Sequence, residues 1–206
     1  MEDFTTFFFI LILASVFYIY LENKASDVTY VTHNKIEYLV RNLPDKEEAA
    51  LLLSKIRNRL TKVVEHTNKK IIEDKDKLDK LSETEKIQNT SFKRLKKNYR
   101  PNNITESSPG NKYTSYSINK GDKIVFCLRS KDGKNKLVDL NTMMFVAIHE
   151  LAHLMTKSIG HTAEFWDNMR YLLKEGIKIG VYVKQDFNNS PVEYCGTQIT
   201  DTPLNT

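Results

Sequence analysis

The alternation of apolar and polar positions divides the chain into three stretches of different character. Residues 4–20, FTTFFFILILASVFYIY, contain no charged residue. Over residues 50–64 apolar side chains recur at three- and four-residue spacing, which predicts an amphipathic helix. A cluster of turn-forming residues at 101–111 ends the middle stretch. Alternating and then apolar residues over 113–129 predict a β-hairpin after it.

The uncharged N-terminal segment is at the short end of what spans a bilayer, about 17–25 residues. Tyr18 and Tyr20 lie at its end, where an aromatic belt would lie. A cleaved signal peptide fits less well, because Glu2 and Asp3 stand where basic residues are usual. A buried core helix is the third alternative. We therefore expect residues 1–21 to be the transmembrane anchor of a single-pass membrane protein.

Lys24, Lys35 and Arg41 follow this segment, and this asymmetry favours a C-terminal domain on the cytoplasmic side. On that side Cys127 and Cys195 would stay reduced. Three N-x-[ST] triplets begin at Asn89, Asn103 and Asn188. Such triplets are acceptors for N-glycosylation, which would instead favour the side of the membrane opposite the cytoplasm.

Composition excludes a wholly disordered chain and a small scaffold held by disulfides. With 40% hydrophobic and 10% aromatic residues the chain can form a core, and two cysteines cannot form a disulfide framework. Residues 45–100 hold 16 Lys and Arg against 10 Asp and Glu. We expect residues 22–100 to be a helical, basic juxtamembrane region. The run Lys93–Lys97 leaves nucleic acid open as a partner, although a charged helix end explains such a run equally well.

The best candidates for metal-binding or catalytic residues are His149, Glu150 and His153. They lie within an apolar run that predicts a helix. We expect Asn141 to cap its start and Gly160 to end it. Two histidines four residues apart lie on one helix face and can bind a single zinc ion, and the adjacent Glu can act as general base on a metal-bound water. The alternative is a polar stripe of ordinary surface residues.

A catalytic zinc ion usually takes three protein ligands. His161 is the best candidate for the third, because it follows a glycine at which the chain can turn back toward the site. Glu164 and Glu175 are rivals. The spacing excludes the metzincin pattern. His33 and His66 are interpreted as ordinary residues.

The segment HELAHLMTKSIGHTAEFW resembles the active-site segment of the WLM and SprT-like zinc metallopeptidases, including an aromatic pair, Phe165-Trp166, that opens the next helix. This resemblance covers about residues 143–175. A longer likeness, over about residues 30–200, is to uncharacterised membrane-anchored zincin-like proteins of large DNA viruses, and it implies a viral source. Its other carrying segments are EYLVRNLPDKEEAALL, TSYSINKGDKIVFCLRS and PVEYCGTQIT.

The resemblance implies an α+β, zincin-like minimal metallopeptidase fold over residues 101–206, with a small antiparallel sheet beside the HExxH helix. It also implies that an extended peptide would lie along Lys123–Arg129 by strand addition. The residues that it assigns are His149, His153 and His161 as zinc ligands and Glu150 as catalytic acid/base.

The last part of the chain leaves alternatives open. Residues 165–177 predict an amphipathic helix beneath the site. Tyr182 or Tyr194 could donate a hydrogen bond to a tetrahedral intermediate, or either could simply pack. Cys195 could be a fourth ligand. We expect a membrane-anchored zinc metallopeptidase acting on protein or peptide substrates. The alternative is a catalytically inactive, zinc-stabilised viral membrane or virion protein.

Overall fold

The computed structural model describes residues 2–205, and for residues 2–4 and 21–25 it describes the backbone alone. The helices are α1 (Glu2–Ala25), α2 (Lys46–Asn68), α3 (Lys75–Leu78), α4 (Glu83–Asn98), α5 (Leu140–Met155) and α6 (Ala163–Lys178). The strands are β1 (Val28–His33), β2 (Ile36–Arg41), β3 (Ile104–Glu106), β4 (Tyr116–Ile118), β5 (Lys123–Phe126), β6 (Val192–Tyr194) and β7 (Thr197–Ile199). A 3₁₀ turn covers Pro203–Asn205.

Within the described residues the strands form three small sheets. Strands β1 and β2 form one antiparallel hairpin, and β6 and β7 form another. In the third sheet β5 lies between β3 and β4. The predicted hairpin is confirmed, because β4 pairs with β5 antiparallel. The expected all-antiparallel sheet is wrong, because β3 joins β5 in parallel.

The central position of β5 corrects the expected peptide-binding strand. Ile124 pairs with Ile104 on one side and with Ser117 on the other, so both edges of β5 are occupied. An extended peptide therefore cannot add along Lys123–Arg129. Strand β4 lies at one edge of this sheet, because β5 is its only neighbour among the described strands.

Helix α5 is the centre of the core. It packs against α2, α4, α6 and β4, and most of its side chains are buried. The predicted apolar face over residues 50–64 is confirmed as the buried face of α2. Core residues extend from Val31 to Cys195 and come from both sides of the boundary predicted near residue 101. The division at that residue stays a prediction.

The ends of α5 differ from those predicted. Asp139, not Asn141, caps the helix, because its carboxylate accepts hydrogen bonds from the backbone N–H groups of Asn141 and Thr142 at 2.8 and 3.0 Å. The helix ends at Met155. Gly160 lies in the following loop with φ at +80°, a left-handed conformation that glycine adopts readily. The shorter helix leaves residues 156–161 free to form a loop.

The transmembrane anchor predicted over residues 1–21 is wrong. No helix within the described part of the chain is both long enough and apolar enough to cross a membrane. The predicted single-pass membrane localisation is therefore also wrong, as is the cytoplasmic-side placement that depended on it.

The expectation that the two cysteines stay reduced is also wrong. Cys127, directly after β5, forms a disulfide with Cys195 in the turn between β6 and β7, and their Cα atoms are 6.3 Å apart. The bond attaches the β6–β7 hairpin to the end of the central strand. Cys195 is buried there and is not a fourth metal ligand.

A buried ion-pair cluster joins α2 to the sheet. The Arg129 guanidinium is 2% exposed and donates to Glu106 at 2.7 Å and to Asp45 at 2.6 Å. Glu106 also accepts a hydrogen bond from the backbone N–H of Arg41 at 2.7 Å. This cluster therefore connects the start of α2, the end of β2 and strand β3.

We predict that Arg129→Met lowers the free energy of unfolding by about 3 kcal/mol, because it leaves the buried Glu106 carboxylate without its charged partner. The matched control is Arg100→Met, which removes an exposed pair with Asp122 and should cost less than about 1 kcal/mol. Urea unfolding followed by circular dichroism measures both. Equal losses in the two variants would contradict the role assigned to Arg129.

Candidate active site

The structure brings His149, His153 and His161 together. His149 and His153 lie one turn apart on α5, and His161 lies on the loop that follows. The Nε2 atom of His149 is 3.2 Å from that of His153 and 3.1 Å from that of His161. Their ligand atoms all lie within 4.8 Å of one another, so the group could hold a metal ion.

A buried aromatic ring supports the three imidazoles. The ring centroid of Phe165, at the start of α6, lies 4.8, 4.4 and 4.7 Å from those of His149, His153 and His161. The Phe165 side chain is fully buried. It therefore limits the directions in which the three rings can turn away from one another.

The Lys120 side chain fixes the loop that carries His161. The Lys120 ammonium donates to the carbonyl oxygens of Thr156, Lys157 and Ser158 at 2.8, 2.9 and 2.7 Å. Lys120 belongs to the turn between β4 and β5, so the sheet holds this loop directly.

The two rival ligands have other partners. Glu164 accepts from the backbone N–H of Lys157 at 3.0 Å and pairs with Arg94, so it fixes the loop from the side of α6. Glu175 pairs with Lys70 and with His66, at 2.8 and 2.5 Å. Neither glutamate belongs to the histidine group.

Burial sets the protonation of the histidines. Desolvation, together with the neighbouring histidines, lowers the pKa of His149 to about 3. Desolvation, His161 and Lys120 lower the pKa of His153 to about 4. Both rings are therefore neutral near pH 7, which is the form that binds metal ions.

Glu150 lies beside this group. Burial raises its pKa to about 8, and the nearby Ser117 hydroxyl opposes the shift without cancelling it. Its Oε2 atom is buried and has no hydrogen-bond partner among the described residues. A neighbouring cation would favour the charged carboxylate.

A cleft of about 580 Å³ runs between β4 and the His161 loop. It is lined by all three histidines and Glu150, and by the polar side chains of Ser115, Ser117, Asn119, Lys120 and Ser158 among others. The edge of β4 is therefore exposed to the same cleft as the candidate metal centre.

The two tyrosines differ in position. Tyr194 lines a smaller cavity together with His149 and Glu150, and its hydroxyl lies 2.5 Å from the Ser115 hydroxyl. Tyr182 is buried and packs against Phe145 in the core. Of the two, only Tyr194 lies beside the candidate centre, and a role in stabilising an intermediate stays a prediction for it.

The basic run Lys93–Lys97 lies in the last turns of α4. Arg94 is used inside the protein, because it donates to the carbonyl oxygen of Met155 at 2.6 Å and pairs with Glu164. Lys93, Lys96 and Lys97 are exposed. Nucleic acid as a partner stays an untested hypothesis.

Sequence reasoning missed Lys120 and Arg94 as residues that position the third histidine. Lys120-Gly121 indicated only a turn, and Arg94 only a charged helix end. Their targets are backbone carbonyl groups distant in the sequence, which no local spacing reveals. The same contacts explain why Glu164, close to His161 in the chain, is not free to bind a metal ion.

The chain matches a family model and several viral proteins. The model of the family described as WLM domain matches residues 31–204. An uncharacterised protein of Acanthamoeba polyphaga mimivirus is 34% identical over 200 residues, covering 95% of this chain and 93% of that protein. The resemblance to this family and to proteins of large DNA viruses is confirmed.

Shorter and weaker likenesses also occur. Uncharacterised proteins of invertebrate iridescent viruses 6 and 3 are 35% and 44% identical over 69 residues, 33% of this chain and 38% and 42% of those proteins. The crystal structure of Wss1 from Saccharomyces cerevisiae has a TM-score of 0.36 at 21% identity, covering 47% of this chain and 76% of that one.

We predict that Lys120→Met weakens the binding of a metal ion to the three histidines, with Zn²⁺ as the probe, about tenfold or more, because residues that orient a metal ligand typically contribute that much. The matched control is Lys157→Met, which removes an exposed lysine from the loop itself and should leave the affinity unchanged. Competition with a colorimetric chelator measures both affinities. Unchanged binding in Lys120→Met would show that the loop does not need this contact.

Proposed function

The chain belongs to the WLM domain family, and on that premise we propose that it is a zinc-dependent metallopeptidase that hydrolyses peptide bonds in protein substrates. The observation that carries the proposal is the convergence of His149, His153 and His161 beside a buried Glu150. We assign the three histidines as metal ligands and Glu150 as general acid/base.

The donor set fits zinc. Imidazole nitrogens bind Zn²⁺ at about 2.0–2.1 Å in tetrahedral geometry, which places neighbouring ligand atoms about 3.3 Å apart. The Nε2 separations of 3.1 and 3.2 Å are close to that value. The Nε2 atom of His149 lies close to the Nε2 atoms of both other histidines, and because one ring nitrogen offers only one proton or one lone pair, a shared cation explains both contacts better than hydrogen bonds do. Three ligands leave a fourth position for water or substrate, as in catalytic sites.

When bound, zinc would lower the pKa of a water molecule toward 7 and polarise the carbonyl group of the scissile bond. Glu150 would take a proton from a water molecule in the cleft, because its Oε2 atom has no hydrogen-bond partner among the described residues. In the next step Glu150 would deliver the proton to the leaving amine. The apolar surroundings of α5 strengthen these electrostatic effects.

The substrate would bind as an extended chain. Strand β4 offers an edge for backbone pairing, and its residues line the cleft that contains the candidate centre. A peptide added there would pass the three histidines with its backbone held by the strand. This arrangement supports an unfolded segment or a loop as the substrate.

The non-catalytic alternative, a zinc-stabilised structural protein, is less well supported. A purely structural site needs no carboxylate beside the metal ligands. Here Glu150 is 3% exposed, and burying a carboxyl group without a full set of partners costs free energy. A catalytic role accounts for that cost.

We predict that Glu150→Gln lowers turnover of an unstructured protein such as casein by about 10²–10⁴-fold, the usual contribution of a general acid/base. Zinc content, measured by elemental mass spectrometry, should stay at that of the unaltered chain. His161→Ala should instead lose zinc and turnover together.

The matched control is Glu47→Gln, an exposed position at the start of α2, which should keep both zinc and turnover. Full turnover in Glu150→Gln would refute the assigned mechanism. A folded, unaltered chain that binds no zinc would refute the proposed function.

A further inference from the structure

A second cavity adjoins the candidate centre. It has a volume of about 420 Å³ and lies between α5, α6 and the segment after β7. His149 is the one residue that it shares with the polar cleft along β4. Its wall includes the apolar side chains of Phe145, Trp166, Met169 and Pro203, the ring of His149, and two charged residues, Arg170 and Asp201.

Two contacts place this cavity next to the metal ligands. His149 forms part of its wall. The ring of Trp166, also in the wall, lies 5.6 Å from the ring of His161. A group bound in the cavity would therefore lie next to the candidate metal ligands.

Most of the wall of this cavity is apolar. The side chains of Phe145 and Met169 are buried beneath it, and Trp166 is 40% exposed at its wall. Of the two charged residues in its wall, Arg170 is engaged elsewhere, because the guanidinium donates to Asp167 at 2.7 Å and to the Pro203 carbonyl oxygen at 2.9 Å. Asp201 accepts a hydrogen bond from the backbone N–H of Thr202 at 2.6 Å. A space lined in this way favours apolar ligand groups over polar ones.

We propose that this cavity is a specificity pocket that receives a large apolar side chain of the substrate, of the size of Leu, Met or Phe, next to the scissile bond. The inference rests on the proposed function, since it assigns the pocket to the same site. The polar cleft along β4 would hold the peptide backbone, and the apolar pocket would select one of its side chains.

Trp166 is the single tryptophan of the chain, so its fluorescence reports on the pocket directly. The test uses the full, zinc-loaded chain and peptide hydroxamates, which bind zinc and are not cleaved. The hydroxamates differ in one side chain, that of Leu, Phe, Ala or Asp. Titration should show that the Leu and Phe compounds bind at least about tenfold more tightly than the Ala and Asp compounds. They should also shift the emission of Trp166 to shorter wavelength.

Met169→Ala tests the pocket itself. It deepens the floor while keeping Trp166 as the probe, and it should raise the affinity ratio of the Phe to the Leu compound at least about threefold. The matched control is Ile177→Ala, a half-exposed position on the same helix that does not line the cavity, and it should leave the ratio unchanged. The comparison of the four compounds on the unaltered chain stands even where Met169→Ala does not fold.

Equal affinity for all four hydroxamates would overturn the pocket and leave the metal site intact. A preference for the Asp compound would overturn it as well. Failure of the zinc-loaded chain to bind any hydroxamate would instead refute the proposed metallopeptidase site, and this inference with it.

Discussion

The burial of helix α5 is the constraint on which the site depends. Apolar side chains cover most of its surface, and α2, α4, α6 and β4 enclose it. Polar groups in such a helix are tolerated only where they find partners or an opening. His149, Glu150 and His153 all line the cleft beneath β4 and the loop of His161. The position of the cleft is therefore fixed by the packing of the core.

Much of this arrangement can be predicted from local sequence. The spacing of His149 and His153 within an apolar run indicates both the helix and its polar face, and the buried face of α2 follows from its periodicity. The cap of α5 is predicted two residues too late, because Asp139 and Asn141 are both good capping residues and only the fold selects one. Helix ends are thus less predictable than helix faces.

Contacts between distant segments are what local patterns cannot supply. The parallel pairing of β3 with β5, the bond between Cys127 and Cys195, and the hold of Lys120 on the loop each join residues that no spacing rule relates. The N-terminal segment shows the opposite error. There a strong local pattern supported a membrane span that the described helices do not provide.

The segment just after β5 connects parts of the molecule that would otherwise be separate. Cys127 holds the β6–β7 hairpin, and Arg129 holds the start of α2 and strand β3. The hairpin in turn places Tyr194 against Ser115, directly before the edge strand β4. The central strand therefore positions the walls of the cleft as well as its own neighbours.

The position of Lys120 has a thermodynamic consequence. The turn that follows the edge strand β4 also holds the loop that carries His161, through the three hydrogen bonds of Lys120, so a shift of one affects the other. If the chain has the proposed function, peptide pairing with β4 and metal coordination by His161 would be coupled equilibria, and such coupling is reciprocal. A chain that holds its metal firmly would bind an extended peptide better, and a bound peptide would slow the departure of the metal.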